Sequence, residues 1–117
     1  MENPIRSTFE DGTACVSVLG EIDYSNADEV AQGIRDALGK WSPERVQIDL
    51  GGATFIDSTG LGALIEGYRA ATEAESRFVV VNPSDSFRRV LSVTGLSELF
   101  GMPDDDHPAG LSRATGA

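Results

Sequence analysis

The chain has 117 residues, a length that predicts a single domain, and its 40% hydrophobic and 24% charged residues are typical of a soluble globular protein. Its 9 Lys and Arg against 19 Asp and Glu give a net charge of −10. Such a surface repels phosphate backbones and anionic lipids, so we expect no nucleic-acid partner and no direct membrane insertion.

The N-terminal stretch and the single cysteine bear on location. Residues 1–10 lack the basic start and the apolar run of a signal peptide, and no apolar segment approaches the ~20 residues of a membrane helix. Cys15 has no second cysteine to pair with, and its apolar surroundings predict a buried, inert thiol. These features predict a cytoplasmic protein.

The chain opens with a pattern that predicts an antiparallel pair of strands. Residues 5–9 form a weak strand, and the Asp-Gly within 10–12 is typical of a tight hairpin turn. Residues 14–22 then alternate between apolar and other side chains, as a half-buried strand does. Together they predict a hairpin at one edge of a sheet.

A helix is predicted next, because apolar residues recur at helical spacing. These residues are Ala27, Val30, Ala31, Ile34 and Leu38. Ser25 and Asp28 resemble a capping box, with Asp in place of the usual Glu, and Gly39 is a candidate stop.

The remaining elements alternate between strands and helices. They are a strand at 45–50, a helix at about 59–74, a strand at 77–81 and a helix at about 84–94. The apolar run 77–81 is typical of a strand in the middle of a sheet, and 96–100 predicts a short strand or turn. The order predicts an α/β domain over 1–100, with parallel strand pairs and right-handed crossovers. Residues 101–117 form an acidic tail, rich in Gly and Pro, that we expect to be disordered.

Three loops are predicted at the carboxyl edge of this sheet, where α/β proteins carry their sites. Each leads into a helix N-terminus, which offers free N–H groups and partial positive charge. The loops span 20–26, 55–60 and 82–85. Each holds a carboxylate and a hydroxyl: Asp23 with Ser25, Asp57 with Ser58, and Ser84 with Asp85.

The segment 55–67, Phe-Ile-Asp-Ser-Thr-Gly-Leu-Gly-Ala-Leu-Ile-Glu-Gly, invites comparison with nucleotide-binding loops. A P-loop ends in Gly-Lys-Ser/Thr, but no lysine follows Lys40. A dinucleotide fingerprint needs three glycines, and Ile65 stands where the third would follow Gly60 and Gly62. Neither loop matches, although a small ligand at the three-loop edge remains an alternative.

Catalytic interpretations of the same segment find little support. A nucleophile elbow around Ser58 would need a glycine where Ile56 stands, and the only histidine, His107, lies in the acidic tail. Asp23 and Asp57 remain possible as a catalytic pair of carboxylates, but nothing in the sequence forms a substrate pocket for them. We expect neither a cofactor nor a metal.

Ser58 and the glycines also have purely structural interpretations. A serine before a helix serves as an N-cap and contributes ~1 kcal/mol. Gly60, Gly62 and Gly67 inside a helix each cost ~1 kcal/mol relative to Ala. That cost indicates close approach by a neighbouring strand or by a partner protein.

Three segments carry a more specific pattern. They are Gly-Glu-Ile-Asp at 20–23, the stretch 48–65 containing Asp-Ser-Thr-Gly-Leu, and 79–100. Together they resemble the STAS domain, the fold of anti-sigma factor antagonists, over nearly all of 5–100. The resemblance implies a four- to five-stranded mixed sheet with an N-terminal antiparallel hairpin and three to four helices.

The resemblance also implies a function. In such antagonists the serine after the aspartate, here Ser58, is phosphorylated. The unphosphorylated antagonist binds an anti-sigma factor that is an ATP-using serine kinase, and the sigma factor is released. Phosphorylation reverses the binding, and a PP2C-type phosphatase resets the switch. On this interpretation the protein has no catalytic activity of its own.

The resemblance places the partner-binding surface around Ser58. Its residues are Asp23, Ser25, Asp57, Ser58, Thr59, Gly60 and Gly62, with Asn82 and Ser84 at its margin. Thr59 is an alternative phosphate acceptor. Asp23 either orients the Ser58 hydroxyl or the kinase, or serves only as a loop and cap residue. A phosphate at a helix N-terminus would be tolerated by the free N–H groups, while its repulsion with nearby carboxylates would disfavour the packing of a partner against this edge.

A second class of function remains open. STAS domains also serve as constitutive subunits of lipid-transport ABC systems, as stressosome-like scaffolds and as parts of anion transporters. The transporter alternative is disfavoured because the chain has no membrane segment.

Overall fold

The computed structural model describes residues 4–101 and places four strands and four helices within them. They are β1 (Ile5–Glu10), β2 (Thr13–Ile22), α1 (Ala27–Trp41), β3 (Arg45–Ile56), α2 (Ser58–Glu73), β4 (Arg77–Val81), α3 (Asp85–Val93) and α4 (Leu96–Leu99). The strands form one sheet in the order β1-β2-β3-β4. β1 is antiparallel to β2, and β2, β3 and β4 run parallel, which confirms the predicted α/β fold.

The hairpin between β1 and β2 forms at the predicted Asp-Gly. Asp11 and Gly12 have φ values of 53° and 79°, the left-handed conformation that a two-residue hairpin turn requires. The turn sets Glu10 opposite Thr13, and the register continues to Ile5 opposite Val18. The local sequence therefore fixes both the position and the phase of the first strand pair.

The core lies on one face of β2 and β3, because side chains alternate between the two faces of a strand. Ala14, Val16 and Val18 are at most 1% exposed on this face. Cys15 points the other way and is only half-buried, so the expectation of a buried thiol is wrong. The apolar neighbours of Cys15 in the sequence belong to the opposite face.

Helix α1 differs at both ends from the sequence prediction. Asn26 occupies the N-cap position without a side-chain cap bond, so the predicted capping box of Ser25 and Asp28 is wrong. Gly39 does not end the helix, which continues to Trp41. The Trp41 ring stacks on Phe9 with centroids 5.4 Å apart, so a contact with β1 supports the last turn.

Strand β4 lies at an edge of the sheet, although its apolar run predicted a central strand. The run 96–100, predicted as a short strand or turn, forms α4 and ends in the buried Phe100. The Val80 N–H donates to the Phe100 carbonyl at 2.9 Å, and the Phe78 and Phe100 rings lie 5.3 Å apart. Because Phe100 and the end of α4 cover β4, this strand can be apolar although it lies at an edge of the sheet. Of the predicted tail, only Gly101 lies within the described residues.

Strand β3 is twice as long as the predicted 45–50, and this length positions the site. β4 ends at Val81, opposite Asp49, whereas β3 continues to Ile56, opposite Ile22 of β2. The register of β2 and β3 shifts twice along this extension. The second half of β3 therefore pairs with β2 alone and projects beyond β4.

The first turn of α2 sits directly on the ends of β2 and β3. A Cβ added at Gly60 would lie 2.7 Å from the Ile56 Cγ2 and 3.0 Å from the Ile22 Cγ2. A Cβ at Gly62 would meet nothing within 4 Å, and one at Gly67 would lie 2.6 Å from the Ile34 Cδ1 of α1. Close approach thus accounts for Gly60 and Gly67 but not for Gly62.

Gly60→Ala and Gly62→Ala should therefore change stability in opposite directions. We expect Gly60→Ala to lower the free energy of unfolding by about 1–3 kcal/mol, because its methyl group overpacks the junction. Gly62→Ala should raise it by about 0.5–1 kcal/mol through helix propensity. Urea denaturation measures both, and equal effects of the two variants would contradict the packing at Gly60.

Candidate functional site

The ends of β2 and β3 bring two of the three predicted loops side by side. Ile22 and Ile56 are register partners, and the Asp57 N–H donates to the Ile22 carbonyl at 3.1 Å. Asp23, which follows Ile22, and Ser58, which follows Asp57, therefore stand on adjacent loops at the projecting end of the sheet.

The loop between β2 and α1 is held by its own polar side chains. The Asp23 Oδ1 accepts the Ser25 hydroxyl at 2.6 Å and the Ser25 N–H at 2.9 Å. The Asn26 side chain accepts the Asp23 N–H and donates to the Glu21 carbonyl, both at 2.9 Å. Asn26 was not among the predicted site residues, although an Asn before a helix is a recognised signal for such local bonds.

These bonds favour the ionised form of Asp23. The Ser25 hydroxyl, and after it the Ser25 N–H, hold the pKa of the Asp23 carboxyl below its ordinary value. The loop therefore presents a carboxylate whose orientation is fixed by its neighbours. Ser25 has its hydroxyl engaged in this bond and does not cap α1.

Asp57 caps the N-terminus of α2. The structural interpretation of Ser58 as the N-cap is therefore wrong. The Asp57 Oδ1 accepts the Gly60 N–H at 2.9 Å, and its extended backbone leads into the helix. Ser58 and Thr59 are the first two residues of α2, and both are exposed. Within residues 4–101 the Ser58 hydroxyl makes no hydrogen bond, so it is free to react or to contact a partner.

The third predicted loop does not meet the other two at Asn82. The Asn82 Nδ2 donates to the Asp49 Oδ1 at 3.1 Å. Asp49 precedes Ile56 by roughly seven residues, or about 23 Å along an extended strand. The expected convergence of all three loops is therefore wrong for Asn82, because β3 extends beyond the end of β4.

Ser84 lies nearer to the site than Asn82 does. Its hydroxyl accepts the Phe87 N–H at 3.2 Å and so caps α3. It also lines a shallow cleft of about 190 Å³ between α3 and the projecting part of β3, whose wall includes Thr54, Phe55 and Ile56. These three wall residues immediately precede Asp57 in the sequence.

Two exposed aromatic side chains flank the loops and were missed by sequence reasoning. Tyr24 is 82% exposed beside Asp23, and Phe55 is 57% exposed on the cleft wall. Such exposed rings are typical anchors of protein–protein contacts. The signal available in the sequence was their position within the predicted loops 20–26 and 55–60.

The arrangement combines several groups that are suited to contact with another protein. It offers an exposed hydroxyl at a helix N-terminus, carboxylates at Asp23 and Asp57, and two aromatic rings on the same end of the sheet. Within residues 4–101 no group of three His, Cys, Asp or Glu could hold a metal ion. In the same range, no helix has the length and apolar character needed to cross a membrane.

Ser25→Ala should raise the pKa of Asp23 towards its ordinary value of 3.8, because the hydroxyl bond is the larger cause of the shift. The lowered pKa contributes stability above the unfolded-state pKa, and this contribution is lost as the pH falls through the folded-state pKa. The variant should therefore lose less stability on acidification. A carboxyl ¹³C NMR titration measures the pKa, and Ser84→Ala, which removes a hydroxyl that bonds elsewhere, is the matched control. An unchanged Asp23 pKa in Ser25→Ala would contradict the bond.

Comparisons with known proteins agree with this geometry. The STAS domain family model matches residues 5–109. An anti-sigma-B factor antagonist of Listeria monocytogenes is 31% identical, over 73% of this chain and 74% of the relative.

Solved structures give the same result. An anti-sigma factor antagonist from Mycobacterium paratuberculosis superposes with a TM-score of 0.74 at 34% identity, covering 87% of this chain and 86% of that chain. The phosphorylated form of the Bacillus cell fate determinant SpoIIAA has the same fold, with a TM-score of 0.67 at 19% identity over 87% of this chain and 93% of that chain. The mixed sheet, the Asp-Ser-Thr-Gly loop and these matches together show that the chain belongs to the STAS domain family.

Proposed function

We propose that the protein is an anti-sigma factor antagonist whose partner binding is controlled by phosphorylation of Ser58. Unphosphorylated, it binds an anti-sigma factor that is an ATP-using serine kinase, and so releases a sigma factor. Phosphorylated, it no longer binds. The observation that carries the proposal is the Ser58 hydroxyl, which is exposed, opens α2 and has no hydrogen-bond partner within residues 4–101.

The position of Ser58 favours modification without unfolding. The N–H groups of the first helical turn lack intrahelical acceptors and are complementary to a phosphate. The Gly60 N–H is already engaged by Asp57, so a phosphate would meet the remaining groups of the turn. The cap and the glycine packing do not involve the Ser58 side chain, and both can persist after phosphorylation.

The same position makes phosphorylation effective against binding. A phosphate adds about −1.5 to −2 charges at neutral pH. It would stand beside Asp57 and near the ionised Asp23, on a chain whose net charge is already −10. The bulk of the phosphate at the exposed hydroxyl, together with the repulsion among these negative groups, would displace a partner packed closely on this end of the sheet. We therefore infer that phosphorylation changes the surface charge of the site and leaves the backbone conformation unchanged.

The comparisons support this proposal by the names of the relatives. Proteins of Listeria monocytogenes and Paenibacillus polymyxa that resemble the chain are named anti-sigma-B and anti-sigma F factor antagonists. SpoIIAA has been solved in both an unphosphorylated and a phosphorylated form. By analogy, a PP2C-type phosphatase would restore the binding-competent form, and the protein would act in the cytoplasm as a binding partner and kinase substrate without catalysis of its own.

The partner-binding surface follows from the same arrangement. We assign to it Asp23, Ser25, Asp57, Ser58, Thr59, Gly60 and Gly62, and we add Tyr24 and Phe55 as aromatic anchors. Gly60 contributes by holding α2 on the strands, whereas Gly62 leaves an open surface on which a partner can pack. Ser84 borders the surface through the cleft that it shares with Phe55, and Asn82 lies farthest from it.

The proposal is tested by capturing proteins from a native lysate of the source cells with three baits: Ser58→Ala, Ser58→Asp and the control Ser42→Asp. Ser42 is exposed beyond the opposite end of α1, so its replacement adds the same charge away from the site. We expect a serine kinase with the alanine and control baits and not with Ser58→Asp. Incubation of the full chain with that kinase and ATP should place phosphate on Ser58, as mapped by mass spectrometry.

Other outcomes would contradict the proposal. A transport ATPase or a scaffold protein captured equally by all baits would indicate a constitutive STAS subunit. Phosphate on Thr59, with Ser58 unmodified, would move the switch by one residue. A rise in thermal midpoint on adding nucleotide to the isolated chain would favour a ligand site at the loop edge.

Phe55→Ala should weaken binding of the captured kinase by about 30-fold in Kd, the effect of losing a hot spot of about 2 kcal/mol. Because Phe55 is 57% exposed, we expect little change in thermal midpoint. Val93→Ala removes another exposed apolar side chain, 80% exposed on α3, and is the matched control. Isothermal titration calorimetry measures the affinity, and equal losses in the two variants would contradict the assignment of Phe55.

A further inference from the structure

The two edges of the sheet are finished differently. At the β4 edge, the Val80 N–H donates to the Phe100 carbonyl at 2.9 Å, and the end of α4 covers the strand. At the β1 edge, the backbone groups of Ser7 and Phe9 have no such partner among residues 4–101. An open edge strand presents unpaired N–H and C=O groups that another strand can join.

The phase of the hairpin determines which β1 groups face outward. A two-residue turn makes Glu10 and Thr13 a hydrogen-bonded pair, and the Leu19 N–H donates to the Pro4 carbonyl at 2.7 Å. In an antiparallel ladder such pairs recur at every second residue. The N–H and C=O of Ser7 and Phe9 therefore point away from β2.

The outer face of β1 carries opposite charges at equal distances from its centre. Arg6, Thr8 and Glu10 share this face, and all three are exposed. Neither Arg6 nor Glu10 has an ion pair within the described range. A two-fold axis at Thr8 would set Arg6 of one copy opposite Glu10 of the other, twice over.

We propose that β1 is a homodimerisation edge, at which two copies pair antiparallel about a two-fold axis through Thr8 and form one continuous sheet. Ser7 of each copy exchanges backbone hydrogen bonds with Phe9 of the other. The two pairs of Arg6 and Glu10 then act as cross-strand ion pairs. This inference goes beyond the proposed function and does not depend on it.

The charges also select the register. With the axis moved to Ser7, Arg6 faces Thr8 of the other copy, and Glu10 lies beyond the end of the other β1. With the axis at Phe9, Glu10 faces Thr8 and Arg6 lies opposite the turn. Only the register with the axis at Thr8 pairs both charges. The charges on β1 therefore disfavour pairing with an unrelated strand and favour pairing with β1 of a second copy.

The dimer leaves both candidate sites open. The axis reverses the direction of the second sheet, so the two Ser58 loops lie at opposite ends of the assembly. β1 ends its pairing opposite Val18, before β2 reaches Ile22 and the site. Each copy can therefore bind its own partner.

A charge swap tests the inference by sedimentation equilibrium of the full chain at about 0.15 M salt, where long-range repulsion is screened. We expect a monomer–dimer equilibrium. Arg6→Glu and Glu10→Arg should each raise the dimer Kd about tenfold or more, because each replaces two opposite-charge pairs by like-charge pairs. The double variant Arg6→Glu, Glu10→Arg restores the pairs and the net charge of −10, and it should restore the dimer.

Matched controls separate pairing from overall charge. Arg89→Glu and Glu98→Arg make the same charge changes at exposed positions of α3 and α4 and should leave the dimer Kd nearly unchanged. A chain that remains monomeric at every accessible concentration would overturn the inference. So would a dimer that the control variants weaken as much as the β1 variants do, or one that the double variant fails to restore.

A cysteine cross-link tests the register directly. At the two-fold axis, Thr8 faces Thr8 in a non-hydrogen-bonded pair with Cα atoms about 4.5 Å apart, within disulfide range. Because Thr8 also lies opposite Cys15, the variant is Thr8→Cys in a Cys15→Ser background. It should oxidise to a covalent dimer, whereas Glu10→Cys in the same background, about 13 Å from its own copy, should not. Equal cross-linking at both positions would contradict the register.

Discussion

The candidate site depends on the packing of one backbone segment against two strand ends. The first turn of α2 lies on Ile22 and Ile56 at a distance that leaves no room for a side chain at Gly60. The Asp57 N–H to Ile22 carbonyl bond and the Asp57 cap to Gly60 fix the same turn from two further directions. With these contacts directed inward, Ser58 and Thr59 can only face outward.

The neighbouring loop is ordered by a different kind of interaction. Its apolar content is small, and Tyr24 at its centre is almost fully exposed. Asn26 and Asp23 instead hold it by hydrogen bonds to Glu21, to Ser25 and to each other. Since hydrogen bonds to a carboxylate are stronger than those between neutral groups, the ionised Asp23 is itself part of the framework. Both loops are thus ordered before any partner arrives, which lowers the entropic cost of binding.

The accuracy of the sequence predictions depended on how far apart in the sequence the interacting residues lie. The Asp-Gly hairpin and the helical periodicities were correct because neighbouring residues determine them. The cap of α2 was misassigned because Asp57 and Ser58 are both favoured cap residues, and only the backbone conformation distinguishes them. The edge position of β4 depends on Phe100, about twenty residues later in the chain, and local sequence carries no sign of that contact.

The site residues were predicted with similar limits. The family motif drew attention to Ser58 and its neighbours, and the structure places Asp23, Ser25, Asp57, Ser58 and Thr59 on adjacent loops. Asn82 is separated from them because β3 is longer than its apolar pattern indicated, and the glycines and exposed residues after Leu50 hid the extension. Phe55 was missed for the same reason, since its exposure follows from that extension.

The distance between the two proposed surfaces would allow the proposed phosphorylation and the proposed pairing of two copies to act independently. Thr8 lies opposite Cys15, roughly seven residues before Ile22, so the centre of the β1 edge is about 23 Å from the Ser58 end of the sheet. The Debye length at physiological ionic strength is about 8 Å, so a phosphate on Ser58 is largely screened from Arg6 and Glu10. The proposed phosphorylation of Ser58 would therefore leave the proposed pairing of two copies intact.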